Sequence, residues 1–258
     1  MKLTNSFPKF DPHSIPVLGI DDHLEGVADR HLTASALRAR FLTQPVWTPE
    51  HSVEKKFDDR APAAAAVLVP LVMRDELTLL LTLRSANLST HSGQVAFPGG
   101  RTDAGDRDAT DTALREAHEE IGLPRDHVEV LGQLPVYVTG TAFIITPVVA
   151  LVTPGFELRP NPGEVADVFE VPLAYLMNPA NHRRHEFEFD GVTRQWLSMP
   201  YFEGGLGTEA GPAVERYIWG ATAGMLRNLY TRRCASRWSM FRSILPGSRW
   251  QDPTPRRC

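Results

Sequence analysis

The stretch Arg115-Glu116-Ala117-His118-Glu119-Glu120-Ile121-Gly122-Leu123 decides the reading of this chain. Extended back to Asp108, it predicts a helix over residues 108–121. Asp108 is suited to the N-cap, Gly122 to the left-handed position that ends a helix, and Pro124 prevents continuation. At about 100° per residue, Glu116 placed at 0° puts Glu120 at about +40° and Glu119 at about −60°. Ala113, Ala117, Ile121 and Leu114 fall together on another face, the one that packs on a core. Like charges at i,i+3 and i,i+4 repel, and no lysine in the segment relieves them. The arc therefore reads either as a solvated acidic face or as a set of hard oxygen donors for Mg²⁺ or Mn²⁺, not as a thiolate-type zinc site.

Upstream, Phe97-Pro98-Gly99-Gly100 leads from a strand into the turn before the helix. Paired glycines let backbone approach a ligand closely, and a carbonyl such as that of Gly100 can add a donor to the same ion. Arg115, just outside the arc, can orient Glu119 or bind phosphate oxygens. Two apolar runs, 64–73 and 77–83, are separated by Arg74-Asp75-Glu76 and predict a β-hairpin. Residues 128–138 and 143–152 read as strands, and 165–176 as a strand end with a short helix. Residues 185–196 read as a hairpin turning at Asp190-Gly191, and 213–230 as a final long helix. Residues 1–60 are rich in His, Pro and Asp and read as an N-terminal arm with one short helix over 33–42, capped by Thr33. Residues 231–258 form a basic C-terminal tail: from Arg232 on there are seven arginines against one acid, Asp252.

The chain of 258 residues is long enough for one domain with extensions. Lys+Arg number 27 and Asp+Glu 31, giving a net charge of −4, which speaks against a generally basic nucleic-acid binder. Two cysteines, Cys234 and Cys258, cannot make a disulfide scaffold, and a reducing, cytoplasmic setting fits them. No apolar run approaches the roughly 20 residues needed to cross a bilayer, so no membrane role is expected.

Residues 115–123 resemble the core of the Nudix box, with Arg115, Glu116, Glu119, Glu120 and Gly122 at matching positions and Gly99-Gly100 upstream. Where the general pattern carries an early Glu, this chain has Arg107, and the glycine-to-arginine gap is one residue longer, occupied by Asp103 and Asp106. Phe-Pro-Gly-Gly followed by such a D-x-x-D pair resembles the coenzyme A pyrophosphatase branch. Leu80-Leu81-Thr82-Leu83-Arg84-Ser85, then His91, Gly93, Gln94 and Val95, continue the likeness, as do Asn161-Pro162-Gly163-Glu164-Val165, Val171-Pro172-Leu173 and Ile218-Trp219-Gly220-Ala221-Thr222-Ala223. Ser89 stands where that branch often has an arginine. The likeness spans residues 61–229, and the expected unit is a Nudix domain over 61–230.

The resemblance implies an α/β fold: a Nudix α/β/α sandwich with a mixed β-sheet between helices. It implies hydrolysis of a pyrophosphate in coenzyme A or a derivative, giving 3′,5′-ADP and 4′-phosphopantetheine, with Mg²⁺ or Mn²⁺ as cofactor. Glu116, Glu119, Glu120 and Gly100 would hold the metal, and Arg84, Arg101 and Gly99 the substrate. Glu119, Glu120, Arg115 and Glu164 would act in catalysis, with Glu120 or Glu164 as the base. Read from the residues alone, Glu164 is either that base or an extra metal ligand, or else a solvated loop acid, His91 a loop hydrogen-bonder rather than a catalyst, and Trp219 a core residue. The alternatives are a Nudix hydrolase of ADP-ribose or another dinucleotide, and a non-catalytic ligand sensor. The expected partner is a coenzyme A-like small molecule, without nucleic acid, and a homodimer is compatible with the sequence.

Overall fold

Residues that alternate across a strand sort themselves to two sides of a sheet, and here both sides are apolar. The computed structural model describes residues 11–43, 47–55, 61–88, 91–189, 191–204 and 213–234. In chain order these form β1 (Val17–Ile20), α1 (Ala34–Leu42), β2 (Ala63–Met73), β3 (Leu77–Arg84), β4 (Val95–Ala96) and β5 (Gly99–Arg101). Next come α2 (Ala109–Ile121), β6 (Val128–Gln133), β7 (Tyr137–Val138), β8 (Phe143–Val152) and β9 (Val165–Pro172). The last are α3 (Leu173–Leu176), β10 (Arg183–Phe189), β11 (Val192–Glu203), β12 (Val214–Trp219) and α4 (Gly220–Cys234).

Eight strands make a mixed sheet with the path β4-β3-β2-β8-β6, and β5, β7 and β9 pair with β2, β8 and β3. β2 and β8 run parallel from Ala63↔Phe143 to Val72↔Val152, and the other pairs are antiparallel. The unbroken apolar run of β2 suits a strand covered on both faces. Pro70 falls between the stretch of β2 that pairs with β5 and the stretch that pairs with β3, where a missing N–H costs no antiparallel ladder bond. Leu68, Val72, Leu80, Val148 and Ala150 face one side and meet Ala113, Ala117 and Ile121 of α2. Val69, Leu71, Leu79, Val149 and Leu151 face the other and join the cluster of Leu37, Leu173, Leu226 and Leu229. That is the α/β/α arrangement, with helices on both faces of a mixed sheet.

The expected hairpin over 185–196 is present as β10 and β11, and β1 and β12, which were not foreseen as strands, extend it into a second, four-stranded antiparallel sheet, β1-β10-β11-β12. The expected helix over 213–230 is corrected here. Val214–Trp219 is rich in β-branched and aromatic residues and pairs with β11 from Ser198↔Trp219 to Glu203↔Val214. The helix begins only at Gly220, whose φ of +59° allows the sharp change of direction. It continues to Cys234, beyond the expected boundary at Tyr230, with Arg232 buried over the Phe41 ring. The single strand expected over 128–138 is two, β6 and β7.

The short helix and its cap are as expected: Thr33 Oγ1 accepts from Ala36 N. Leu37 is buried in the core, and Arg38 makes a two-nitrogen contact with Glu129 of β6. Further along the same N-terminal region, residues 50–55 cross from α4 to β7. His51 N donates to Asn228 Oδ1, and Val138 exchanges backbone bonds with Ser52 and Glu54 at 2.7 and 2.8 Å. No helix among the described residues is long and apolar enough to cross a membrane. The tail beyond Cys234, with Cys258, lies outside the described residues.

Candidate active site

α2 presents its acids where the sequence places them, and its caps explain why the helix sits still. Asp108 Oδ1 accepts from Asp111 N at 2.9 Å, and Gly122, at φ +69°, donates to the His118 carbonyl. On this frame Arg115 is the organising cation. Its Nε and Nη2 grip Asp106 at 2.8 and 2.9 Å, its Nη1 reaches Glu116 at 3.0 Å and Glu119 at 2.9 Å, and Nη2 also donates to the Arg101 carbonyl. The guanidinium holds the Asp106 carboxyl well below the usual carboxylate range. Arg115 thus ties the loop after β5 to the helix, and it orients Glu119 as expected.

Glu120 is 3% exposed. Its Oε2 accepts from Gly99 N at 3.0 Å, and its Oε1 lies 3.6 Å from Arg84 Nη1. Burial pushes its carboxyl up to about 7, against the opposing pull of the Gly99 N–H and Arg84. Burial also raises Glu116. The two glycines are required by contact. A Cβ on Gly99 would stand 2.5 Å from the Ala66 carbonyl oxygen, and one on Gly100 2.5 Å from the Glu116 carboxylate. β9 runs beside β3 and delivers Glu164 next to Arg84: Ser85 N donates to the Glu164 carbonyl, and Asn161 Nδ2 to Glu164 Oε1. The Glu164 charge adds to the upward push on both Glu116 and Glu120. The structure therefore brings Arg84, Gly99, Gly100, Arg115, Glu116, Glu119, Glu120 and Glu164 together.

Among the described residues, no group of three or more His, Cys, Asp or Glu side chains is arranged to hold a metal ion. The reason lies in the partners just named: Arg115 stands between Glu116 and Glu119, while Glu120 faces Gly99 and Arg84. The donor chemistry still suits a hard divalent cation. Two of the carboxylates are desolvated, a cation already lies among their oxygens, and Glu119, whose side chain is 56% exposed, has room to turn.

Gly99, Gly100, Arg84 and Arg101 also line a cavity of about 1260 Å³ between the two sheets. The Arg101 guanidinium lies 5.2 Å over the Phe143 ring. The opposite wall comes from the second sheet: Phe187 and Trp196, edge to face at 5.5 Å, with Tyr217 and Trp219. Trp219, read from sequence as core, is half-buried on this wall. His91 is exposed at φ +55°, and its Nδ1 bonds Gln94 Oε1, in keeping with a loop hydrogen-bonder. Residues 51–55 close a third side. Sequence reasoning missed these wall residues, because they come from separate segments without a shared spacing. Ser89 lies outside the described residues.

A family model for the NUDIX domain matches residues 62–190. The chain is 39% identical over 165 residues to a Photorhabdus laumondii protein named "uncharacterized Nudix hydrolase NudL", spanning 64% of this chain and 82% of that one. It is 41% identical over 166 residues to the protein of the same name from Escherichia coli K12, spanning 64% and 80%. Among solved structures it is similar to a C. elegans Ap4A hydrolase binary complex, with a TM-score of 0.38 and 19% identity over 46% of this chain and 85% of that one.

Proposed function

The chain belongs to the Nudix hydrolase family, and from that premise we propose that it cleaves the pyrophosphate of coenzyme A or a derivative to 3′,5′-ADP and 4′-phosphopantetheine. The observation that carries this reading is the position of Gly99–Arg101. This short strand carries the α2 carboxylates on one side and floors the large cavity on the other. A long substrate lying in the cavity would bring its diphosphate toward the carboxylates past Arg84, which lines the cavity and lies 3.6 Å from Glu120.

Nudix hydrolases generally use divalent ions such as Mg²⁺ or Mn²⁺; Glu116, Glu119, Glu120 and the Gly100 carbonyl would hold them here, and the bound ion would neutralise phosphate charge and activate a water. Arg84 and Arg101 bind phosphate oxygens as planar, multi-donor cations. Arg115, held by Asp106, fixes the direction of Glu116 and Glu119. Glu120 or Glu164 takes the proton of the attacking water. The proposal includes a cytoplasmic setting.

A second reading, hydrolysis of ADP-ribose or another dinucleotide, rests on Ser89, which removes a cation that the coenzyme A branch often carries. The deciding experiment is a substrate panel with purified protein, Mg²⁺ and Mn²⁺, and products identified by mass. Coenzyme A should give 3′,5′-ADP. ADP-ribose turned over tenfold better by kcat/KM would overturn the substrate assignment and leave the Nudix chemistry standing.

A further inference from the structure

The cavity is basic although the protein is acidic. Among the described residues its lining includes Lys55, Arg84, Arg101 and Arg194 against one carboxylate, Glu54, in a chain of net charge −4. Glu54 already has partners: Oε1 accepts from Tyr137 Oη at 2.9 Å and Oε2 from Gly140 N at 2.8 Å. Its charge therefore faces the β7 edge. The four cations divide into two groups by origin. Arg84 and Arg101 end β3 and β5 of the eight-stranded sheet, beside Glu120 and Arg115. Lys55 and Arg194 both line the opposite wall, where Arg194 Nη1 donates to the Val192 carbonyl at 3.1 Å. Lys55 Nζ reaches across from the N-terminal segment to the Thr193 carbonyl at 2.7 Å, and Arg194 follows Thr193 on β11. Lys55 has no carboxylate partner among the described residues, so its contact is a neutral oxygen and its charge remains for a ligand. Phe187 and Trp196 lie on the same wall and offer flat apolar surface.

We propose that Lys55 and Arg194 form a second anion-binding subsite, which takes a phosphomonoester carried by the same nucleotide whose diphosphate lies at Arg84 and Arg101. The ligand class is a nucleotide with anionic groups on two separate ribose carbons and an aromatic base on a third. This rests on the pyrophosphatase reading for the identity of the ligand and deepens it. Selectivity then comes from the N-terminal segment as much as from the family domain. Residues 50–55 are held by Asn228 of α4, by Val138 and by the Glu54 contacts, so Lys55 is presented from a fixed backbone. A preorganised cation gains more from a phosphate than a mobile one does, because less side-chain and backbone freedom is lost on binding.

The test is calorimetric titration of the full chain with 3′,5′-ADP and with 5′-AMP, which differ by one phosphomonoester. The intact protein should bind 3′,5′-ADP at least about tenfold more tightly, the scale of a charge-assisted phosphate contact. Lys55→Gln keeps a donor for the Thr193 carbonyl and removes the charge. It should bring the two affinities within about threefold while leaving 5′-AMP unchanged, and Lys55→Arg should restore the difference. The proposal is overturned if the intact protein shows no preference, or if Lys55→Gln weakens both nucleotides equally, as a purely structural role would. If the preference behaves as expected but coenzyme A is not hydrolysed, the subsite stands and the reaction assignment falls. If coenzyme A is hydrolysed and the preference is absent, the reverse holds.

Discussion

Two clusters of arginine and carboxylate divide the molecule between them, and they differ in how completely their charges are matched. In one, Arg184 and Arg227 both contact both Asp21 and Glu50, at 2.6–3.0 Å. Arg227 Nη1 also lies 3.0 Å from His182 Nδ1, while His182 Nε2 donates to the Leu176 carbonyl. His51, Arg227 and Arg184 together hold Glu50 well below the usual carboxylate range despite its burial. In the other, Arg115 and Arg84 serve Asp106, Glu116, Glu119 and Glu120, and the buried Glu116 and Glu120 are raised. The first cluster is closed and fastens the N-terminal region to β10 and α4. The second has more carboxylate than cation, which costs stability and leaves oxygens able to receive an additional cation. The difference teaches that a satisfied ion-pair network marks attachment, and an unsatisfied one marks chemistry.

The comparison breaks first at Arg227. Arg227→Met leaves Asp21 and Glu50 short of a cation in a buried place and should cost about 3–5 kcal/mol in denaturant unfolding. A loss below about 1 kcal/mol would mean that the closed cluster fastens nothing. At the open cluster, Glu119→Gln and Glu120→Gln should each lower kcat by about 10²–10³-fold without a comparable loss of stability. A chelator should abolish wild-type activity and Mg²⁺ or Mn²⁺ restore it, and full activity in the chelator would refute a metal site there.

A pH series sharpens the contrast. Burial lowers His182 to about 4 from its ordinary 6.5, so the folded state keeps it neutral where the unfolded chain takes up a proton. Stability from this source is intact above pH 6.5 and is lost as pH falls from 6.5 to 4, by up to roughly 3 kcal/mol. His185 is lowered in the same direction, so His182→Gln should flatten only part of the fall in Tm between pH 7 and 5. A flat Tm for the wild type over that range would show that neither imidazole is held neutral. The smallest effect concerns the shared group: Arg84→Ala should weaken coenzyme A and ADP-ribose alike, by about 10–150-fold in kcat/KM, the range of one charge-assisted contact to the diphosphate that both carry. A loss confined to coenzyme A would place Arg84 at the phosphomonoester instead.

The open cluster was legible in the sequence and the closed one was not, for a physical reason. Glu116, Glu119 and Glu120 lie within two turns of one helix, and Gly99-Gly100 lie nearby, so their proximity follows from local geometry. Asp21, Glu50, Arg184 and Arg227 are drawn from segments far apart in sequence and meet only through the second sheet and α4. Of that sheet only the β10–β11 hairpin was legible; β1 was hidden for the same cause, since it pairs with a strand from the far end of the chain. Val214–Trp219 was misread because it runs directly into a true helix, and Gly220 is the one residue that marks the change. The grip of Arg115 on Asp106 could have been inferred from their separation across the helix N-terminus, but its two-pronged form could not.

The parallel pairing of β2 with β8 has a consequence in time. It joins residues about eighty positions apart, and β3, β5 and α2 all lie inside the loop that it closes. The antiparallel partner β3 follows β2 directly and needs only a short closure, so that hairpin can form while the chain is still short. The seat of α2 is different, because Val148, Ala150 and Val152 of β8 supply part of it. Closing a long loop carries an entropy cost that must be met before those contacts exist, which slows folding. The acidic helix therefore waits on the arrival of β8. Refolding followed by a probe near Ile121 should lag behind one that reports the β2–β3 hairpin, and during that interval the nascent chain offers an apolar sheet face to chaperones.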